Sequence, residues 1–301
     1  MQQSPKRAVA LRPRRSILYV PGSNARALDK AAGLPADGLI LDLEDSVAPD
    51  MKDPARRAVA ERVAARAFGG REVIVRVNGA DTPWGAADLA AVAEAGPDAV
   101  LLPKVESDDE VIEAGRVLDR LGAPATLSLW AMIETPLAAL RPEQVAAARE
   151  AEVNTRLTCL VVGTNDLAKV TRARLKPGRA AFMPYLTAAV AAARAYGLDV
   201  IDGVCNALDD PAAFEAECVD GRDLGMDGKT LIHPSQIEAA NRVFAPDAGE
   251  IAEARRIIDA FSLPENRSRG AIALDGRMVE RLHADIARRT LALAEAIAAA
   301  S

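Results

Sequence analysis

Glu134 and Asp166 are the acids whose placement most strongly suggests chemistry. Each ends an apolar run, Thr126–Ile133 and Leu157–Val162, and the two runs are consecutive. Parallel strands built from them would lie about 4.8 Å apart. Two carboxylates converging there can hold one Mg²⁺ (or Mn²⁺), an ion that takes one or two protein carboxylates and keeps positions for water and ligand oxygens. A pair of solvated helix caps is the alternative, since Thr135-Pro136 and Leu167 read as helix starts. A second acidic group, Asp42, Glu44 and Asp45, sits at the end of the run Gly38–Leu43. Strand alternation would point Asp42 and Glu44 one way and Asp45 the other, so one role for all three is not expected.

Arg76 lies at the end of the apolar strand Val73-Ile74-Val75-Arg76-Val77-Asn78. An arginine there is costly to desolvate unless acids or an anionic ligand pair with it. Beside a metal it suits a carboxylate, or an enolate or thioester oxygen gaining negative charge; an ion pair with the strand-two acids is the structural alternative. Lys104 could form a Schiff base with a carbonyl, but that needs a neutral amine, and a mouth rich in carboxylates keeps a lysine charged. His233 reads as a base or, by preference, a packing element. Gly228-Lys229-Thr230 imitates the tail of a phosphate loop, yet position 223 is Asp instead of Gly, and an apolar strand follows where a helix is required.

These side chains need elements to position them. Short β-rich runs alternate with alanine-rich segments of helical period. The runs are Ser16–Val20, Gly38–Leu43, Glu72–Val77, Asp98–Pro103, Thr126–Ile133, Leu157–Val162, Leu198–Asp202 and Lys229–Ile232. Helices are expected near 25–33, 52–67, 85–95, 108–121, 138–150, 180–196, 210–224 and 235–243. Apolar strands joined by single helices specify parallel pairing with both faces covered. Eight such units predict an α/β fold, a closed (β/α)₈ TIM barrel. Polar residues and glycines gather after the strand ends, from Pro21-Gly22-Ser23 to His233-Pro234, so the C-terminal mouth is the chemically loaded end. Residues 1–245 read as the barrel domain and 246–301 as a C-terminal helical extension able to cover a mouth, its own or a neighbour's. The extension holds a helix from Asp247 or Gly249 to Phe261, a break at 264–270, an apolar stretch Ala271–Leu274, a turn at Asp275-Gly276 and a helix over about 280–300.

The 301 residues carry 37 Lys+Arg against 43 Asp+Glu, a net charge of −6, with 3% aromatic side chains. That balance argues against a nucleic-acid binder built on phosphate contacts and stacking. Half the residues are hydrophobic, which excludes a disordered chain. Cys159, Cys205 and Cys218 show no metal-ligand spacing and close no disulfide framework, so they read as packing or surface residues. No run is long enough to span a membrane and the basic N-terminal stretch lacks an apolar signal core, giving a cytoplasmic expectation.

Several motifs follow one another along the chain: Arg15-Ser16-Ile17-Leu18-Tyr19-Val20-Pro21-Gly22-Ser23, Leu41-Asp42-Leu43-Glu44-Asp45, Arg76-Val77-Asn78-Gly79 and Pro103-Lys104-Val105. They continue as Ile133-Glu134-Thr135, Gly163-Thr164-Asn165-Asp166-Leu167, Asp202-Gly203 and Asp227-Gly228-Lys229-Thr230-Leu231-Ile232-His233-Pro234. The chain thereby resembles the citrate lyase β-subunit-like family of the HpcH/HpaI aldolase superfamily over nearly its whole length. The resemblance implies a Mg²⁺-dependent barrel acting on the CoA or acyl-carrier thioester of a β-hydroxy acid such as malyl, citramalyl or citryl. It implies Glu134 and Asp166 as metal ligands, Asp45 in the metal's water shell, and Arg76 on the reacting acyl group. Glu134 then also meets the substrate. Tyr19, Arg26 and Lys30 fall where the family contacts CoA, while Asn24 stands where relatives can carry a CoA-binding arginine. Homotrimers or hexamers are implied, with the C-terminal segment of one subunit over a neighbour's site, and neither nucleic acid nor membrane as partner.

A family motif ending Gly-x-Met-Ile/Val-Asp reads Gly276-Arg277-Met278-Val279-Glu280 here, making Glu280 the implied catalytic acid, one methylene longer. The first activity implied is C–C lysis by retro-Claisen chemistry, with Arg76 stabilising the thioester enolate. The Glu280-Arg281-Leu282-His283 ending and the run from Gly163 to Lys169 look more like the malyl-CoA thioesterase branch, so (3S)-malyl-CoA hydrolysis is the alternative. A non-catalytic β-subunit-like component that needs partners is a further one.

Overall fold

The computed structural model describes residues 11–151 and 156–300. One compact unit, Arg14–Phe244, is a closed barrel whose parallel strands pair in chain order, with β1 meeting β8. The strands are β1 (Ser16–Pro21), β2 (Gly38–Asp42), β3 (Glu72–Arg76), β4 (Ala99–Leu102), β5 (Ser128–Ile133), β6 (Leu157–Val162), β7 (Asp199–Asp202) and β8 (Gly228–Leu231). This is the (β/α)₈ barrel the sequence predicts.

Gly-Leu-Ile-Leu-Asp in β2 and Glu-Val-Ile-Val-Arg in β3 are buried at every position, because helices cover one face and the lumen the other. Alternation sorts the two faces. Ile17, Ile40, Ile74, Leu101, Trp130, Met132, Val161 and Ile201 fill the lumen, whereas Leu18, Leu39, Leu41, Val75 and Val100 pack outward. Two residues further along each lumen-facing series come Tyr19, Asp42, Arg76 and Glu134, which places all four at the mouth.

At the opposite end Arg14 closes the floor. Its guanidinium donates to Glu72 Oε2 (2.8 Å) and Oε1 (2.6 Å) at the start of β3, and to Asp199 Oδ2 (2.6 Å) at the start of β7. It also lies 4.8 Å from the centroid of the Trp130 ring. Arg14→Ala would take the guanidinium from the buried carboxylate of Glu72, and should destabilise the fold by about 3–5 kcal/mol. The check is a shift of the urea midpoint at unchanged slope.

Two expectations are corrected. The helix expected over 138–150 is broken into Pro136–Leu140 and Pro142–Ala147, because Pro142 lacks the N–H a continuous helix would use. In the second unit, which comprises the described residues before Arg14 and those from Ala245, Ala271–Leu274 is no isolated stretch. It is β9, paired antiparallel with β10 (Arg277–Glu280). Their two-residue turn has positive φ at Asp275 (50°) and Gly276 (75°), as a tight hairpin requires. Helix Ala248–Ser262 opens with a reciprocal Asp247–Glu250 cap. It packs Ala254, Ile257 and Phe261 against Ile272, Val279, Ala284 and Ala287 of the hairpin and of helix Arg281–Ala300. The three cysteines are free and buried. Among the described residues no helix is long and apolar enough to cross a membrane.

Candidate active site

Asp42 and Arg76 are register partners on β2 and β3. Arg76 Nε donates to Asp42 Oδ1 and Nη2 to Oδ2, both at 2.7 Å. The alternation expected for the three strand-two acids fails, because β2 ends at Asp42 and the chain then turns. Asp42 accepts from the backbone N–H groups of Glu44 (2.9 Å) and Ser46 (3.1 Å), curling the loop back. All three acids therefore converge: Glu44 Oε2 lies 3.0 Å and Asp45 Oδ2 3.8 Å from Arg76 Nη1. Tyr19 supplies a ring 5.0 Å from the guanidinium carbon. Burial opposes both charges, yet the pairing holds Asp42 below the usual carboxylate range and keeps Arg76 firmly charged.

Residues that sequence reasoning missed support this loop. Buried Lys52 donates to the carbonyls of Leu43 (2.9 Å) and Glu44 (2.7 Å) and to Asn78 Oδ1 (2.6 Å). Asn78 Nδ2 donates to the Leu43 carbonyl (2.9 Å) and to Asp88 Oδ2 (2.6 Å), and Arg56 holds Asp88 from the other side at 2.6 Å. The available signal was that Lys52 shares a helix stripe with buried Ala55, Val59 and Val63. A charge in an apolar stripe needs a partner.

Glu134 is 1% exposed. Its Oε1 accepts the backbone N–H of Lys104 at 2.8 Å, and its Oε2 has no hydrogen-bond partner. Burial, reinforced by the charge of Asp166, pushes its carboxyl up to about 8. Gly163 makes room for it: a Cβ at that position would lie 2.5 Å from Glu134 Cβ and 2.7 Å from Oε2. Gly163→Ala should therefore displace the carboxylate and weaken Mn²⁺ binding about 10–100-fold, read by electron paramagnetic resonance of the free ion. Asp166 does not end a strand as expected. β6 stops at Val162, Gly163 caps helix Thr164–Thr171, and Asp166 stands half-buried on its first turn. Thr135 caps the helix after β5 by accepting from the Ala138 N–H at 3.1 Å, so Glu134 is not needed as a cap.

Lys104 is exposed, and its ammonium pairs with Glu44 Oε1 and lies 3.6 Å from Asp45 Oδ1. Partial burial works against its charge, but these acids and Glu134 raise its pKa, which opposes Schiff-base chemistry. The mouth thus gathers five carboxylates (Asp42, Glu44, Asp45, Glu134, Asp166) against three cations (Lys52, Arg76, Lys104). Acids outnumber cations there, and the buried, unpartnered oxygen of Glu134 is where a metal ion would take the place of a proton. Among the described residues no three His, Cys, Asp or Glu side chains form a ligand cluster. An ion here would rest on the Glu134–Asp166 pair plus water and substrate oxygens, as Mg²⁺ commonly does.

Residues 15–234 match the HpcH/HpaI aldolase/citrate lyase family. The chain belongs to that family. A (3S)-malyl-CoA thioesterase from Cereibacter sphaeroides (strain KD131) is 50% identical over 289 residues, covering 95% of this chain and 96% of its own. The citrate lyase subunit beta of Escherichia coli (strain K12) is 35% identical, covering 94% of each chain. Among solved structures, the protein CitE from Mycobacterium tuberculosis, in complex with magnesium, acetoacetate and coenzyme A, superposes with a TM-score of 0.75. It is 28% identical and the match covers 95% of this chain and all of that one. These relatives are enzymes, and so is this family member.

The remaining expected residues have neighbours of their own. Arg26 and Lys30 are exposed, four residues apart on helix Ala25–Ala31, which Asn24 caps by accepting from Ala27 N–H at 3.0 Å. Glu280 closes β10 in the second unit, and its N–H donates to His283 Nδ1 at 3.0 Å. His233 is exposed and caps the turn at 234–236 through Ser235, so it does not pack in the core. Lys229 is fully buried, donating to Asp202 Oδ2 (2.9 Å), Glu217 Oε1 (2.7 Å) and the Gly203 carbonyl (2.7 Å). Arg179 pairs with the same Asp202 at 2.6 Å. That lysine braces β7 and β8, which accounts for the false phosphate loop.

Proposed function

We propose that this HpcH/HpaI family member is a Mg²⁺-dependent thioesterase acting on a β-hydroxyacyl-CoA of the (3S)-malyl type. The observation carrying the choice is the 50% identity to a (3S)-malyl-CoA thioesterase, against 35% to a citrate lyase β subunit. That ordering favours the reading first held as the alternative. Carbon–carbon lysis of malyl-, citramalyl- or citryl-CoA is the second reading, supported by the lyase relatives and the same arginine.

Glu134 and Asp166 would hold the ion, with Mn²⁺ as a substitute. Bound there, it supplies a Lewis acid to a substrate oxygen. Arg76, clamped by Asp42 and backed by Tyr19, directs Nη1 to where negative charge develops on the thioester oxygen. In a buried setting that interaction is stronger than in water. Asp45, exposed beside Arg76, orients water. Arg26 and Lys30 bind CoA phosphates. Glu280 accepts the proton of the attacking water; Glu280→Gln should lower kcat about 100-fold with KM little changed. The working form is a cytoplasmic homotrimer or hexamer, checked by light scattering.

The test is purified protein with Mg²⁺ and malyl-CoA, following free thiol, malate and glyoxylate together. Thiol and malate without glyoxylate support hydrolysis. Glyoxylate without a matching thiol assigns the lyase. Inactivity on malyl, citramalyl and citryl thioesters alike overturns both and leaves a component that needs partners.

A further inference from the structure

We propose that Lys104 is a positioning residue serving both halves of this site, its backbone aiming Glu134 and its ammonium setting how much negative charge Arg76 feels. The inference rests on the metal-dependent reading above. Lys104 stands two residues beyond β4 with φ of 52°, a conformation that L side chains rarely adopt. In that conformation its N–H reaches Glu134 Oε1 at 2.8 Å. Because Oε1 is engaged, Oε2 is the oxygen left without a hydrogen bond.

The side chain acts on the other half. Glu44 is a single carboxylate shared by two cations, Oε1 with Lys104 and Oε2 at 3.0 Å from Arg76 Nη1. Glu44 is 6% exposed, so water screens little of its charge. Without the ammonium, the full negative charge of Glu44 would bear on Arg76 and reduce the positive potential Arg76 presents to an anionic oxygen. The two roles use different atoms, and substitutions separate them. Lys104→Gly keeps the left-handed backbone and the N–H but removes the ammonium. Lys104→Val removes the ammonium and, being β-branched, also strains the left-handed backbone that carries the N–H. Lys104→Arg keeps the charge.

The experiment measures Mn²⁺ affinity by electron paramagnetic resonance and steady-state turnover of a malyl thioester for all three variants and the parent. Lys104→Gly should bind Mn²⁺ within about 3-fold of the parent, yet lose about 10-fold or more in kcat with KM within about 3-fold. Lys104→Val should bind Mn²⁺ about 10-fold more weakly than Lys104→Gly. Lys104→Arg should recover most of the kcat. A Gly variant with parental kcat, a Val variant binding Mn²⁺ like the Gly variant, or an Arg variant as slow as Gly each overturns the proposal while the metal-dependent reading stands. A parent protein that binds no Mn²⁺ overturns that reading, and this proposal with it.

Discussion

Arg76→Met is expected to lower kcat about 10²–10³-fold, the usual effect of deleting a donor to a developing oxyanion. It should also reduce stability, for a separate reason. Asp42 is 1% exposed and both of its oxygens are held by the guanidinium, so removing Arg76 strands a buried carboxylate, an imbalance of about 3–5 kcal/mol. The two effects are separable. Adding Asp42→Asn to Arg76→Met removes the stranded charge, so the double variant should melt at a higher temperature than Arg76→Met alone while remaining as inactive. Arg76→Lys keeps a charge but loses the two-pronged geometry, and should fall between parent and Met variant in both respects. Thermal melts paired with thioester turnover give the answer. An Arg76→Met protein with parental turnover would remove the arginine from the chemistry.

Glu134→Gln should abolish tight Mg²⁺ and Mn²⁺ binding and, with it, activity by a factor of about 10³ or more. The same change should flatten the pH dependence of stability in the absence of metal. A carboxyl whose pKa is about 8 when folded and 4.5 when unfolded is favoured by the fold in its protonated form. Between those values the folded state binds more protons than the unfolded one, so stability is lost as pH rises from about 4.5 to 8, and changes no further above that. Melts in EDTA from pH 5 to 8.5 should therefore slope downward in the parent and less so in Glu134→Gln. Mg²⁺ should lift the parent most at the upper end of that range, where the carboxylate is ionised, and leave the variant unmoved. Equal slopes for the two proteins would mean that Glu134 is not the group responsible.

The barrel and the convergence of Asp42, Arg76 and Glu134 were legible because they follow from period-two alternation. Once Ile40, Ile74 and Met132 are taken as lumen residues, the side chains two positions on must reach the mouth. Asp45 was misplaced for the same reason: the rule was applied past the end of β2, into a loop governed by hydrogen bonds from Glu44 and Ser46 to Asp42. The strand Arg277–Glu280 went unseen because exposed Arg277 and Met278 give it no apolar alternation, Val279 being its one buried position. Asp88 and Arg14 left almost no local trace. Their partners come from other parts of the chain; Arg14 and Asp199, for instance, are 185 positions apart. Patterns within one element reveal which face is buried, and say little about which distant charge it will meet.

That last separation bears on how the molecule is made. Arg14 is translated 185 positions before its second carboxylate, on Asp199, and β8, the strand that closes the sheet beside β1, follows later still. On the ribosome the early strands must therefore wait with an unsealed sheet edge and an arginine that still lacks its second hydrogen-bonding carboxylate. The growing chain is then most exposed to off-pathway pairing while β1 still lacks β8. Holding the nascent edge until β8 emerges is a task that chaperones can perform, and β1, made before the other barrel strands, is among the last of them to be settled.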